Sequence, residues 1–264
     1  MESIMSFFKS IILSLSMFSA IPMPRIEWNK KNMRYMMCTF PFVGLVIAFL
    51  CGGWFIFGQF LARWHKNLSP ALIALGFTLI PVFVSGGIHL DGFMDTCDAL
   101  GSHASREKKL EILKDSHSGA FAVLGCVIYF LCYFVLSLEV FKQPLHLINL
   151  APFLGIFVIS RILSAFAVST FPIAKDSGLV HTFATATIKN FTAVWCSFWL
   201  ILISMLQIYF FNYLGIALVA ICLSVFCLYF VMAVKNFGGI TGDTAGWFVQ
   251  LCEISALAVF AIML

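Results

Sequence analysis

Several stretches of this 264-residue chain are apolar over roughly the length a helix needs to cross a hydrocarbon core, and that constrains the fold more than anything else in it. The runs fall at about 36 to 61, 70 to 87, 119 to 141, 146 to 170, 191 to 211, 213 to 234 and 247 to 264. A soluble domain of this length would need far more than 28 charged residues to cover its surface. The expected fold is therefore all-α: a polytopic integral membrane bundle of about seven transmembrane helices, forming a single transmembrane domain over residues 1–264. Residues 4 to 21 are shorter, carry Lys9 and end at Ile-Pro-Met-Pro, where two prolines stop a helix. That segment reads as interfacial or partly inserted, and it lacks the basic n-region and cleavage site of a removed signal.

Charge sets the expected orientation. Eleven Lys and Arg fall in one alternating set of connections: Arg25, Lys30, Lys31, Arg34, Arg106, Lys108, Lys109, Lys114, Lys175, Lys189 and Lys235. The other set holds Arg63, Lys66 and Lys142. Short cytoplasmic loops carry the positive excess, so the first set is expected to face the cytoplasm. A net charge of +4 is too modest for a nucleic-acid binder. The nine cysteines lie mostly in apolar runs without a Cys-x-x-Cys pair, as small buried hydrophobes in a reducing compartment would.

Against this apolar background, Gly86 to Gly101 reads GGIHLDGFMDTCDALG and gathers three carboxylates within eight residues. On a helix, Asp91, Asp95 and Asp98 stand at i, i+4 and i+7, within about a 60° arc. Like charges on one face raise one another's pKa, and a divalent cation between them relieves the repulsion. Hard oxygen ligands point to Mg²⁺, with Mn²⁺ as the alternative. A solvated acidic helix face is the plainer reading. Against it stand the flanking Gly86, Gly87 and Gly92, the apolar surroundings, and a second constellation, NFGGITGDTAGW, where a glycine pair again precedes an aspartate, Asp243, at a helix start.

Between the two lies REKKLEILKDSHSGAF. Its basic part reads as a solvated amphipathic helix, while Asp115, Ser116 and Gly119 belong to a small-residue turn entering the next span. Arg161 stands inside an apolar run, which points to function with a phosphate or an aspartate as partner, or else to a buried structural ion pair. His89 lies about 160° from Asp91 around the helix and is better suited to packing or hydrogen bonding than to ligation.

These motifs, with SAIPMP and FPFVG upstream, resemble those of the cobalamin synthases, the adenosylcobinamide-GDP ribazoletransferases, over nearly the whole chain. The resemblance implies a transferase of the late vitamin B12 pathway in the bacterial cytoplasmic (inner) membrane, with its active site facing the cytoplasm. It would join adenosylcobinamide-GDP to α-ribazole or α-ribazole 5′-phosphate, release GMP and require Mg²⁺. Carried over, it makes Asp91, Asp95, Asp98 and Asp115 catalytic and assigns metal binding to Asp91, Asp95, Asp98 and Asp243. The expected substrate-binding set is Gly92, His89, Arg106, Ser116, Gly119, Arg161, Gly239, Thr241 and Gly242. Expected partners are the two substrates and the lipid bilayer, with other late cobalamin-pathway enzymes and a second copy of the chain as further candidates, and no nucleic acid. Cys97, Ala99, Ser102 and Gln250 depart from the pattern without touching the acids. A CDP-alcohol phosphotransferase would continue its Asp-Gly with Ala-Arg, which this chain lacks. A cation pathway would place acids near mid-span, whereas only Glu139 and Glu253 lie within apolar runs.

Overall fold

A computed structural model of the chain describes residues 2–64 and 69–264, so Lys66 lies outside the described residues. In chain order the helices are α1 (Glu2–Phe18), α2 (Lys30–Met33), α3 (Met36–Thr39), α4 (Pro41–Trp64), α5 (Pro70–Val84), α6 (Ile88–Gly101), α7 (Arg106–Ile112), α8 (Ala120–Phe141), α9 (Leu147–Thr170), α10 (Leu179–Ala186), α11 (Lys189–Phe237) and α12 (Gly242–Met263). Among the described residues, α4, α8, α9, α11 and α12 are each long and apolar enough to cross a membrane. The fold is an all-α polytopic membrane bundle.

The 49 residues of α11 would measure about 74 Å if straight, more than twice the hydrocarbon core. The helix breaks at Asn212 (φ 48°, ψ −122°), and asparagine tolerates that left-handed conformation better than most residues. Beyond the break, Gly215 packs on the backbone of Gln207, which a straight helix would hold about 12 Å away. The chain has doubled back, and the two arms match the runs expected on either side of residue 212. Gln207 Nε2 ties the reversal to α9 by donating to the Pro152 carbonyl at 2.8 Å.

The run expected over 70 to 87 ends early. Gly86 (φ 63°) and Gly87 (φ 77°) take left-handed conformations that a side chain would strain, and α6 leaves α5 at 90°. Helix α6 then runs antiparallel along the first turns of α8, with Gly101 at Phe121, Cys97 at Gly125 and Phe93 at Tyr129, and packs on α12 at its other side. With this bent pair contributing one crossing and α11 two, the expected seven crossings are accounted for.

Helix α9 is the bundle's centre, with most of its length buried. By contrast, α8 exposes Phe121, Leu124, Ile128, Leu131 and Val135, a face suited to lipid. Helix α1 docks through a serine face: Ser6 Oγ and Ser10 Oγ each donate at 2.6 Å, to the Lys31 and Asn32 carbonyls. At 17 residues it is shorter than a full span, as its sequence suggested.

Candidate active site

Helix α6 is helical through Asp91, Asp95 and Asp98, so the i, i+4, i+7 face exists. The opposite face buries Leu90, Phe93, Thr96 and Ala99. Two glycines bring α12 against it: a Cβ on Gly92 would lie 2.8 Å from Asp243 Cα, and one on Gly246 would lie 2.8 Å from the His89 carbonyl. Backbone therefore meets backbone, and Asp243 joins the acidic face of α6. Its position is held by a capping box in which Thr241 Oγ1 accepts from Thr244 N at 3.1 Å while Thr241 N donates to Thr244 Oγ1 at 2.9 Å. Burial, then the neighbouring Asp91, Asp243 and Asp98, push the Asp95 carboxyl up to about 6. The Asp98 carboxylate packs on Gly119, where a side chain would displace it.

Not every expected residue joins this group. Asp115 is exposed and accepts from His117 N at 3.0 Å, with His117 Nδ1 2.7 Å from its carboxylate. Those contacts hold its carboxyl below the usual range, and its electrostatic neighbours are His117 and Lys108, not the aspartates of α6. Ser116 is exposed in the same turn. Arg106 lays its guanidinium over Gly238, at the C-terminal end of α11, where a cation meets the negative end of the helix dipole. Arg161 stands away from the carboxylates. It is fully buried in α9 and paired with Glu253 of α12, and its Nη1 also donates to Ser160 Oγ at 3.0 Å and the Phe157 carbonyl at 3.1 Å. Of the readings open from sequence, the structure holds the buried ion pair, with this interior glutamate as partner in place of a phosphate or an aspartate.

One contributor escaped the sequence reading: Lys175. Gly239 (φ 159°) lets residues 172–174 come so close that a Cβ there would lie 2.5 Å from the Pro172 carbonyl. Ile240 N donates to that carbonyl at 2.8 Å and Ala174 N donates to Ile240 O at 3.0 Å, a short parallel bridge that carries Lys175 to Asp243. Lys175 Nζ donates to the Leu110 carbonyl at 3.1 Å. Burial lowers its pKa below the usual lysine range, while Asp243 opposes that shift.

Two cavities adjoin Asp243. One, about 260 Å³, is lined by Lys114, Lys175, His181 and Thr241; the other, about 300 Å³, by Phe18, Phe40, Phe183, His89 and Asp91. A separate groove between α4, α9 and α11, lined by Phe42, Val158, Trp195 and Trp199, holds none of these acids. Among the described residues, no three His, Cys, Asp or Glu side chains converge closely enough to enclose a metal by themselves. Carboxylates beside lysines suit a reaction in which a polyphosphate is bound, its charge neutralised and a proton accepted.

The chain matches the family described as Cobalamin-5-phosphate synthase over residues 10–261. A protein of Lachnoclostridium phytofermentans named adenosylcobinamide-GDP ribazoletransferase is 41% identical over 96% of this chain and 93% of its own length. Proteins of the same name from Clostridium botulinum (strain Alaska E43) and Fusobacterium nucleatum are 37% and 30% identical, covering 95% and 97% of this chain and 96% and 97% of theirs. No solved structure matches. A membrane bundle carrying an acidic face at one end, matched from residue 10 to residue 261, belongs to the cobalamin-5-phosphate synthase family.

Proposed function

We propose that this chain joins adenosylcobinamide-GDP to α-ribazole or its 5′-phosphate, releasing GMP, as a Mg²⁺-dependent phosphotransferase in the late steps of cobalamin biosynthesis. The supporting observation is the apposition of Asp243 to Asp91 and Asp95, with Asp98 next to Asp95 on the same helix, at one end of a membrane bundle. The family and the names of its relatives supply the substrates.

The donor set fits a hard divalent cation. It is all oxygen and carries unneutralised charge around Asp95; no three of these side chains enclose an ion by themselves, so a cation here would take its remaining ligands from water and substrate, as Mg²⁺ prefers. Mg²⁺, or Mn²⁺ in its place, would be held by Asp91, Asp95, Asp98 and Asp243 and would supply charge neutralisation for the diphosphate and the departing GMP. In the transfer, a ribose hydroxyl oxygen of the ribazole bonds to the phosphorus nearer the corrinoid. The anhydride P–O bond breaks, GMP leaves with the bonding electrons, and the hydroxyl proton passes to a carboxylate. Asp98 is better placed than Asp115 to accept it, because it belongs to the group of carboxylates around Asp95 and Asp115 does not. Lys175 would neutralise phosphate charge beside Asp243. The excess of Lys and Arg at this end supports a cytoplasmic orientation in the bacterial inner membrane.

The test is GMP release and corrinoid product formation by detergent-purified protein, given both substrates, with Mg²⁺ or with EDTA. Metal-dependent release is expected; folded protein that releases no GMP refutes the proposal.

A further inference from the structure

The groove between α4, α9 and α11 takes no part in the site described above. Its volume is about 250 Å³, no charged side chain lines it, and Phe42, Leu45 and Trp199 in its wall are exposed. Along α11 it runs from Trp195 to Ile203, about 12 Å, which fits within one leaflet of a hydrocarbon core about 30 Å thick. One edge is pinned, because Trp195 Nε1 donates to the Cys38 carbonyl at 3.2 Å and the Cys38 thiol lies 3.2 Å from the Thr192 hydroxyl. The mouth of the groove carries cations. Ile188 N donates to the Arg34 carbonyl at 3.4 Å, which sets Lys189 beside Arg34 at the end of α2. Lys189, Cys196 and Ile203 stand at i, i+7 and i+14 on one face of α11, so the exposed lysine lies in line with the groove. An aromatic ladder joins charge to groove: the Arg34 guanidinium sits 4.7 Å over the Tyr35 ring, and ring centres then step 5.6 Å to Phe191, 6.0 Å to Trp195 and 5.8 Å to Trp199.

We infer that this groove binds an anionic phospholipid, with one acyl chain lying along Cys196 to Ile203 and the phosphate at Lys189 and Arg34. A wall of hydrocarbon and aromatic surface suits an acyl chain, whereas the polar groups of a nucleotide would go unpaired there. A helix from a second copy of the chain, about 10 Å across, is too thick to enter. The cations choose among lipids. Each basic residue near a bilayer surface favours an anionic headgroup by about fivefold, while a zwitterionic headgroup already carries a cation beside its phosphate. The tryptophans stand where an amphipathic ring is stable, between the charged mouth and the hydrocarbon below it. Ordinary boundary lipid would need only the apolar wall; the alignment of Lys189 with Cys196 and Ile203 is what makes the site selective.

The experiment is a fluorescence titration of the detergent-purified full chain with phosphatidylglycerol or phosphatidylcholine brominated on the acyl chains, because bromine quenches a tryptophan that it touches. Phosphatidylglycerol should quench in a saturable step at about tenfold lower concentration than phosphatidylcholine, and the step should shrink in Trp199→Phe. Lys189→Gln should narrow the preference by about fivefold, and Lys189→Arg should keep it. Lys189 is exposed, so neither of its variants disturbs the packing of the bundle. Equal quenching by the two lipids, a preference that survives Lys189→Gln, or a step of full size in Trp199→Phe would each overturn the site. Displacement of the lipid by inorganic phosphate alone would show an anion site that does not use the groove, and would overturn it as well.

Discussion

The Arg161–Glu253 pair separates scaffold from site. Arg161 is 1% exposed and Glu253 0%, so neither charge meets water. Besides their ion pair, Arg161 has Ser160 Oγ and the Phe157 carbonyl, but Arg161 Nε and Glu253 Oε2 have no partner among the described residues. Replacing one member, Glu253→Leu, leaves a guanidinium in the interior with two neutral acceptors, and breaking a buried pair in this way costs about 3–5 kcal/mol. The double variant Arg161→Met with Glu253→Leu removes both charges and both unsatisfied atoms. Its expected effect runs from neutral to about 1–4 kcal/mol stabilising. The assay is thermal unfolding of the four members of the cycle in detergent, with GMP release measured on each folded protein. The single variant should unfold well below wild type, and the double variant should recover both stability and turnover. A double variant that is folded and stable yet releases no GMP would refute the scaffold role and return Arg161 to the substrate.

Asp95→Asn should lower GMP release by about 100-fold or more, since it removes a charged ligand from the acidic face, while leaving the metal-free protein at least as stable as wild type; normal turnover would sink the metal assignment. The same residue makes stability pH-dependent. Its carboxyl titrates at about 6 in the fold against an ordinary 3.8, so the folded state holds its proton more tightly than the unfolded state does. That contribution is complete below pH 3.8 and is lost as pH rises through about 6. Discounted for partial solvent screening, the loss is about 1 kcal/mol, and Mg²⁺ should reverse it; metal-free unfolding profiles that run parallel in wild type and Asp95→Asn would contradict this. Gly92→Ala places a Cβ 2.8 Å from Asp243 Cα, which is backbone and cannot swing away. It should destabilise by about 1–3 kcal/mol and depress GMP release, and an unchanged melting temperature would show that α6 and α12 are less tightly apposed than described.

The spans were legible because hydropathy and helical period are local. Residues 119 to 141 and 146 to 170 map onto α8 and α9 almost without shift, and Asn212 interrupts an apolar run at the residue where α11 reverses. The acidic face was legible for the same reason, since spacings of four and seven residues fix positions around one helix. What periodicity cannot report is which helices touch. Glu253 is 92 residues from Arg161, and only the packing of α12 on α9 joins them. Lys175 sits in a connection whose only regular feature is the bridge from Ile173 to Ile240, 67 positions along. The eight residues of α10 open on Gly178 with no side-chain cap, so no start signal marked them. The bend at Gly86 and Gly87 was hidden because the apolar run continues through it into Ile88.

The right angle at those glycines ties the membrane fold to the chemistry. Turned through 90°, α6 buries Leu90, Phe93 and Ala99 against α8 and α12 and turns its carboxylates toward the start of α12. Three carboxylates repel, so the arrangement persists only if something stronger holds α6 in place. The apolar face of α6, the backbone contact at Gly92 and Gly246, and the capping box at Thr241 supply that restraint without using the acids themselves. Among the described residues the three carboxylates of α6 are thus left without a hydrogen bond or ion pair, while Asp243 beside them accepts from Thr241 Oγ1 at 3.3 Å; the α6 acids stay available to cation and phosphate, which is the condition a phosphoryl-transfer site has to meet.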